Sequence, residues 1–304
     1  NAVVNGGFDI WQRGTSFSTN AYNADRWYCQ NSAGTTTISQ ESTIVATGSR
    51  YSLKTAQTVA TGTVYVFQAI ETANVIPLTN QTVTLSLQAY ASTSTSISLQ
   101  IGYSTSVDNS VTGTYTGITA SSGGSGTVSN SWTKLTGTYV IPSTAKTLQI
   151  LIQYQIASGV SVYLDQVQLE LGSTATPFAR AGGNIAGELA ACQRYYYRNT
   201  ATGSYSCYGL GCASSTTTAN INMKFPVSMR IAPTAIDYTT IGNYRLTEEV
   251  GGYALSGSMS LIANNTSTDQ TSIQVTSTGL TQYRSYFLTS NNNTSTYIGF
   301  SAEL

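Results

Sequence analysis

Histidine is absent from the 304 residues. Its absence removes Ser-His-Asp and Cys-His activation of a nucleophile, histidine-based zinc hydrolysis and imidazole general-base chemistry. The remaining hydrolytic route is a carboxylate pair facing a glycosidic bond at roughly 5–10 Å. Glu248 and Glu249 are adjacent, so on a strand they point to opposite faces and read as a turn rim rather than a dyad. Cys29, Cys192, Cys207 and Cys212 lack zinc-ligand spacing, and only Cys207 and Cys212 are near enough in sequence for a local disulfide, the alternative being two ordinary thiols. Dinucleotide, Walker and nucleophile-elbow motifs are missing, and the "CYGLGC" segment reads as a tight hairpin. The expectation is a protein that is not an enzyme and requires no cofactor.

Binding chemistry has more material. Aromatic rings stack on apolar ligand faces while their polar tips stay wet, and the chain carries 21 tyrosines. They gather late, and Tyr238, Tyr244, Tyr253, Tyr283 and Tyr286 are the candidate glycan platforms, sheet packing being the plainer role for any one of them. Trp11, Trp27 and Trp132 read as core anchors, and Arg13 and Arg26 can pair with Asp9 or Asp25 to pin the opening segment. Thirteen basic residues balance thirteen acidic ones, and only 9% of residues are charged. Such a chain has no field to attract nucleic acid. Its longest apolar runs, such as "LQILIQYQI", are broken by glutamine and fall short of the about 20 residues of a spanning helix, so membrane insertion is not expected.

Strand periodicity must position these groups. Val83, Leu85, Leu87 and Ala89 share one face of "TVTLSLQAYAS"; "ISLQIGYS" and "TLQILIQYQI" alternate likewise. In "VSVYLDQVQLEL" the apolar parity changes between Leu164 and Val167, with Asp165 and Gln166 at the break, the mark of a β-bulge or a crossing between sheets. Gly, Ser and Asn clusters such as "SSGGSG" supply turns. "GGNIAGELAACQRYYYR" reads as a helix within residues 181–198, capped by Asn184, with Ile185, Leu189, Cys192 and Tyr196 on one seam. A short seam is marginal alone, so it serves either a homotrimer interface or packing between domains. Alternation resumes in "INMKFPV" and in the terminal "TYIGFSAEL", and no repeat of 20 to 50 residues suggests a β-helix. The expected architecture is all-β: an N-terminal jelly-roll sandwich over 1–180, a linking helix over 181–198, and a C-terminal β-sandwich over 199–304.

The opening "VVNGGFDIWQRGTSF" with "ADRWY", the closing "YLDQVQLELGSTATPFARAGG" and the following "GELAACQRYYYR" resemble a jelly-roll module of phage tail-fibre and related virion proteins. The frame is also similar to jelly-roll carbohydrate-binding modules, which share the Asn-x-Gly-Phe-Asp/Glu opening and an interior motif matched here by "YSLKT". "MKFPVSMRIAPTAI" and "FSAEL" resemble the ends of phage fibre proteins. The resemblance implies a virion protein that binds host surface polysaccharide, joins other virion proteins and assembles as a homotrimer; no secretory signal is visible, which fits release by lysis and equally a mature chain whose leader was removed. A purely structural capsid or tail-joining protein is the alternative, and a depolymerase a third reading. It also implies a structural Ca²⁺ bridging first and last strands, with Asp9 and Asp165 as ligands and backbone carbonyls supplying most of the six to eight oxygens; Gln166 stands where a second Asp is common, and a hydrogen-bonded strand closure is the alternative.

Overall fold

The computed structural model describes residues 1–18, 20–248 and 251–304. The chain divides into two compact units, residues 1–192 with Leu304, and residues 193–303.

The first unit is a sandwich of two antiparallel sheets. The first sheet runs Ser16–Ser18, Thr35–Glu41, Ser52–Val59, Ser161–Leu171, Thr82–Ala91, Thr133–Val140, Ser122–Gly123. The second runs Ser125–Val128, Thr95–Ser104, Thr147–Ile156, Gly62–Ile70, Tyr28–Asn31, Ala21–Tyr22, with Thr116–Ile118 also paired to Thr95–Ser104. Inward positions of both sheets fill one core, including Leu85, Leu87, Val162, Leu164, Val64, Val66, Ile150 and Ile152, all buried. Each such side chain contributes about 1.5–3 kcal/mol on leaving water, and the alternation that buries it sends its neighbours to an outer face.

The parity change in the closing strand is a β-bulge. Asp165 pairs with Gln88, but the next partner of Ser86 is Gln168, and Gln166 takes a left-handed φ of 52°. The opening turn docks there: the Val167 N–H donates to the Gly6 carbonyl at 2.8 Å, and a Cβ on Gly6 would collide with the Val167 carbonyl. Asn5 holds the turn from within. Its amide donates to the carbonyls of Ile10 and Asp25 at 2.9 and 3.1 Å, its side-chain oxygen accepts the Ile10 N–H, and its own carbonyl accepts Trp27 Nε1 at 3.0 Å. Trp27 packs on Phe8 with ring centroids 5.2 Å apart, and Arg13 reaches Asp25 at 3.9 Å. Asp9 is paired instead with Arg180, and Arg26 donates to the Ala69 carbonyl.

The helix is shorter than its sequence pattern suggests, Ile185–Gln193. It is bolted to the sandwich by a charged group: Glu188, buried, accepts the N–H of Asn5 and, at 2.7 Å, that of Gly182. Cys192 is buried against Val4 and Ile10. The expected seam therefore does not exist as one face. Ile185 is 52% exposed, Leu189 is half-buried against the sandwich, Cys192 is inside it, and Tyr196 belongs to a strand of the second unit, Tyr196–Thr200.

In the second unit six strands close into a barrel: Cys207–Ala213, Thr218–Lys224, Gln270–Ser277, Gly251–Leu261, Tyr244–Glu248, Ser285–Ser290 and back. A three-stranded sheet of Tyr196–Thr200, Tyr297–Ser301 and Ala235–Tyr238 accompanies it. The all-β class holds; the closed barrel replaces the expected second sandwich, because a period of two fixes which face is buried and not whether a sheet closes. Cys207 and Cys212 sit on the same strand, about 16 Å apart at its rise per residue, too far for a disulfide, and both are free thiols. Among the described residues no helix is long and apolar enough to cross a membrane.

Candidate functional site

The outer face of the second sheet collects rings and amides. In "GTVYVFQAI" Val64 and Val66 point inward, so Tyr65 and Phe67 point outward, near-parallel at an interplanar angle of 8° with centroids 6.0 Å apart. Cross-strand pairing sets Gln30 and Gln153 on either side of Tyr65, and Tyr28 and Leu151 on either side of Phe67. Gln100 donates to Gln153 Oε1 and Ser98 Oγ, both at 3.1 Å.

Two hollows open on this face. One, about 380 Å³, is lined by Tyr28, Gln30, Phe67, Gln149, Tyr115 and the 111–113 segment; the other, about 350 Å³, lies by Ser98, Gln153 and Gln155. The wall is fixed, since the Tyr115 hydroxyl donates to the carbonyls of Asn109 and Ser110 at 3.0 Å and Gln149 donates to the Val111 carbonyl at 2.6 Å. Burial pushes the Tyr115 phenol far above its ordinary range, keeping it neutral. Among the described residues no charged side chain lines either hollow. Half-exposed rings beside amides can stack on one face of a pyranose while bonding its hydroxyls.

The tyrosines expected from the sequence do not form such a platform. Tyr244 and Tyr286 are fully buried in the barrel core, the first bonded to the Tyr297 carbonyl and Thr239, the second accepting the Thr281 N–H. Tyr238 accepts the Met259 N–H, and Tyr253 donates to Glu248. Tyr283 is 80% exposed on a turn with φ 65°. The outward rings, Tyr65 and Phe67, carry a signal in the sequence: aromatics at the outward positions of a strand whose inward positions are already apolar, beside a strand placing Gln149, Gln153 and Gln155 outward.

Asp9 and Asp165 are near enough for the charge of one to act on the other, yet their surroundings do not suit calcium. Asp9 Oδ2 accepts Arg180 Nε at 2.8 Å, so a guanidinium already neutralises it. Asp165 is buried and accepts the N–H of Gln166 at 2.7 Å and of Ala46 at 3.3 Å, donors that compete with a cation for its lone pairs. Burial lifts its carboxyl to about 7 against these hydrogen bonds and that of Ser49, with the Asp9 charge adding to the rise. Among the described residues no three His, Cys, Asp or Glu side chains cluster for a metal.

The same pair is unsuited to glycoside cleavage, because Asp165 is wholly out of reach of a substrate. Other acids are tied structurally: Asp25 to Gln12, Asp237 to Arg198, Glu41 to Lys54 and Glu248 to Arg284. Glu249, the other half of the adjacent pair, lies outside the described residues.

Several solved structures resemble part of the chain. A Bacteroides thetaiotaomicron protein described as sugar-binding is 16% identical, covering 57% of this chain and 100% of its own, with a TM-score of 0.41. The C-terminal family 22 carbohydrate-binding module of Xyn10B from Clostridium thermocellum is 20% identical over 56% of this chain and 100% of its own, TM-score 0.36. Tailspike protein 4 of bacteriophage CBA120 is 15% identical over 57% of this chain and 21% of its own, TM-score 0.38. A comparison with curated proteins finds no match. The family "Carbohydrate binding domain" matches residues 1–159, more than half of the chain, and the chain belongs to it.

Proposed function

We propose that the chain is a non-catalytic adhesion protein of a phage fibre, whose jelly-roll binds a neutral stretch of host surface polysaccharide across the outer face of the second sheet. The observation that carries the binding reading is the uncharged platform of Tyr65 and Phe67 flanked by Gln30, Gln153 and Leu151. Rings without nearby charge favour a ligand recognised by its apolar ring faces and hydroxyls. The absence of histidine and the structural ties of the acids support a binding role over a hydrolytic one. Virion membership and homotrimeric assembly rest on the resemblance of the opening and closing motifs.

Labelled protein is expected to bind host cells and to be displaced by purified lipopolysaccharide or capsule, and Tyr65→Ala with Phe67→Ala to lose that binding. Cells that retain the double variant as well as the parent would refute the site. Release of reducing ends during incubation would refute the non-catalytic reading. Sedimentation equilibrium checks the trimer: the mass of a single 32.2 kDa chain would refute it.

A further inference from the structure

On the opposite side of the sandwich, the outer face of the first sheet carries a hollow of about 370 Å³ with a different chemistry. Its floor is Ser86 and Gln88 with Lys134, which stands directly across from Gln88 on the neighbouring strand. Its walls are the opening segment at Gly7 and Asp9, the turn at 47–49, the bulge residue Gln166, and the exit segment from Thr176 to Arg180. The bulge creates the hollow by interrupting the flat sheet and turning Gln166 outward, where its amide is fixed to the Thr47 carbonyl and Ser49 Oγ, both at 3.0 Å.

The chain holds only 13 Lys and Arg in 304 residues, and two of them line this one hollow. Arg180 gives its Nε to Asp9, which leaves its terminal nitrogens for a second acceptor. Lys134 is exposed and steadied by the Thr176 carbonyl at 3.1 Å. Among the lining side chains one carboxylate, Asp9, stands against two cations; Glu170 lies behind the wall, where its carboxylate accepts the N–H and hydroxyl of Thr176 at 2.9 and 2.6 Å and borders a separate hollow beside Asn1 and Leu171. The Gln88 amide has no protein hydrogen-bond partner among the described residues, and Phe178, packed on Gly7, offers a ring. Cations for a carboxylate, an amide for hydroxyls and a ring for an apolar face are together the requirements of an acidic sugar.

We infer that this hollow is a second saccharide site, selective for a carboxylate-bearing sugar, so that one jelly-roll reads neutral units on one face and acidic units on the other. The inference goes beyond the proposed neutral-glycan site and stands on separate residues. The test is a glycan array bearing oligomers of galacturonate, glucuronate, mannuronate and sialate beside neutral oligosaccharides, probed with the full chain. The parent is expected to retain at least one acidic glycan in a salt-sensitive way. Lys134→Met should weaken that retention about tenfold and Gln88→Ala about threefold, with neutral glycans unaffected; Tyr65→Ala with Phe67→Ala should do the reverse. Failure to retain any acidic glycan, or retention that Lys134→Met leaves unchanged, overturns the second site. Loss of neutral binding alone would bear only on the first.

Discussion

The two outer faces of the jelly-roll are made by strands with the same alternation, their central members 8 to 11 residues long, yet they present opposite chemistries. The second sheet is continuous across Gly62–Ile70, Thr147–Ile156 and Thr95–Ser104, pairing residue against residue without interruption. Its outward positions form a regular grid on which rings and glutamines line up. The first sheet is broken at Asp165 and Gln166, and the break admits the opening turn, the 47–49 turn and Arg180. Charge thus enters where the pleat fails, because a bulge re-aims side chains and lets loops approach backbone. An unbroken sheet offers a surface for an extended ligand, and a bulged one offers a cup.

The contrast between the two faces depends most on the bulge. Gly6→Ala places a Cβ against the Val167 carbonyl, so either the opening turn or the closing strand must move. A cost of about 3 kcal/mol, the upper end of the range for overpacking a close-packed core, is expected, measurable as a lower midpoint in urea. If the bulge alone shapes the cup, Gly6→Ala should abolish acidic-glycan retention while Tyr65 and Phe67 still bind at temperatures where the fold survives.

Next in size is the ring platform. Tyr65→Ala with Phe67→Ala is expected to lower affinity for a neutral oligosaccharide by about 2 kcal/mol, near thirtyfold, the scale of a central anchor. Calorimetric titration reads it, and the midpoint of unfolding should stay close to the parent's because both rings are half-exposed. A large fall in stability with unchanged affinity would make the rings packing and dissolve the contrast between faces.

Arg180→Met probes the charge at the cup. Asp9 then remains, 5% exposed, without its cation, and a loss of about 1–2 kcal/mol is expected after allowing for the part-exposure of Arg180. The parent's melting midpoint is expected to be the same with calcium or with chelator, because the guanidinium neutralises Asp9. In Arg180→Met calcium should raise it, since Asp9 then lacks its guanidinium partner while its charge still acts on the Asp165 carboxyl. A chelator-sensitive parent would restore the calcium that the resemblance implied.

Much of this was legible in the sequence. The parity change at Asp165 and Gln166 marked the bulge correctly, since a bulge must shift which residues are apolar. The Asn-Gly-Gly-Phe-Asp opening carried the resemblance to a jelly-roll module, and Trp27 is the core anchor it was expected to be. The platform was hidden because Val64, Tyr65, Val66 and Phe67 are all apolar, so the outward pair merges into the core pattern. The late tyrosines misled for the converse reason: Tyr244 and Tyr286 alternate into a closed barrel, where aromatic bulk fills the interior. The helix misled because its buried contact is Glu188, a residue that an apolar-seam reading assigns to solvent.

At pH 4 the smallest expected effect is that of Asp165, and its change with pH has a definite sign. Its carboxyl is raised from the ordinary value near 3.8 to about 7 in the folded chain, so between these values the folded state holds a proton that the unfolded state has released. Stability from this group is fully present below pH 4, falls as pH rises towards 7, and is absent above. Asp165→Asn removes that titration while its amide oxygen still accepts the N–H of Gln166 or Ala46. Melting midpoints of the variant should therefore be flatter from pH 4 to 7 than those of the parent, with about 1 kcal/mol or less separating the two at pH 4. A parent that grows more stable across this interval while the variant does not would mean that Asp165 is ionised and held by a cation, and the charged cup would then have to be redrawn around a metal.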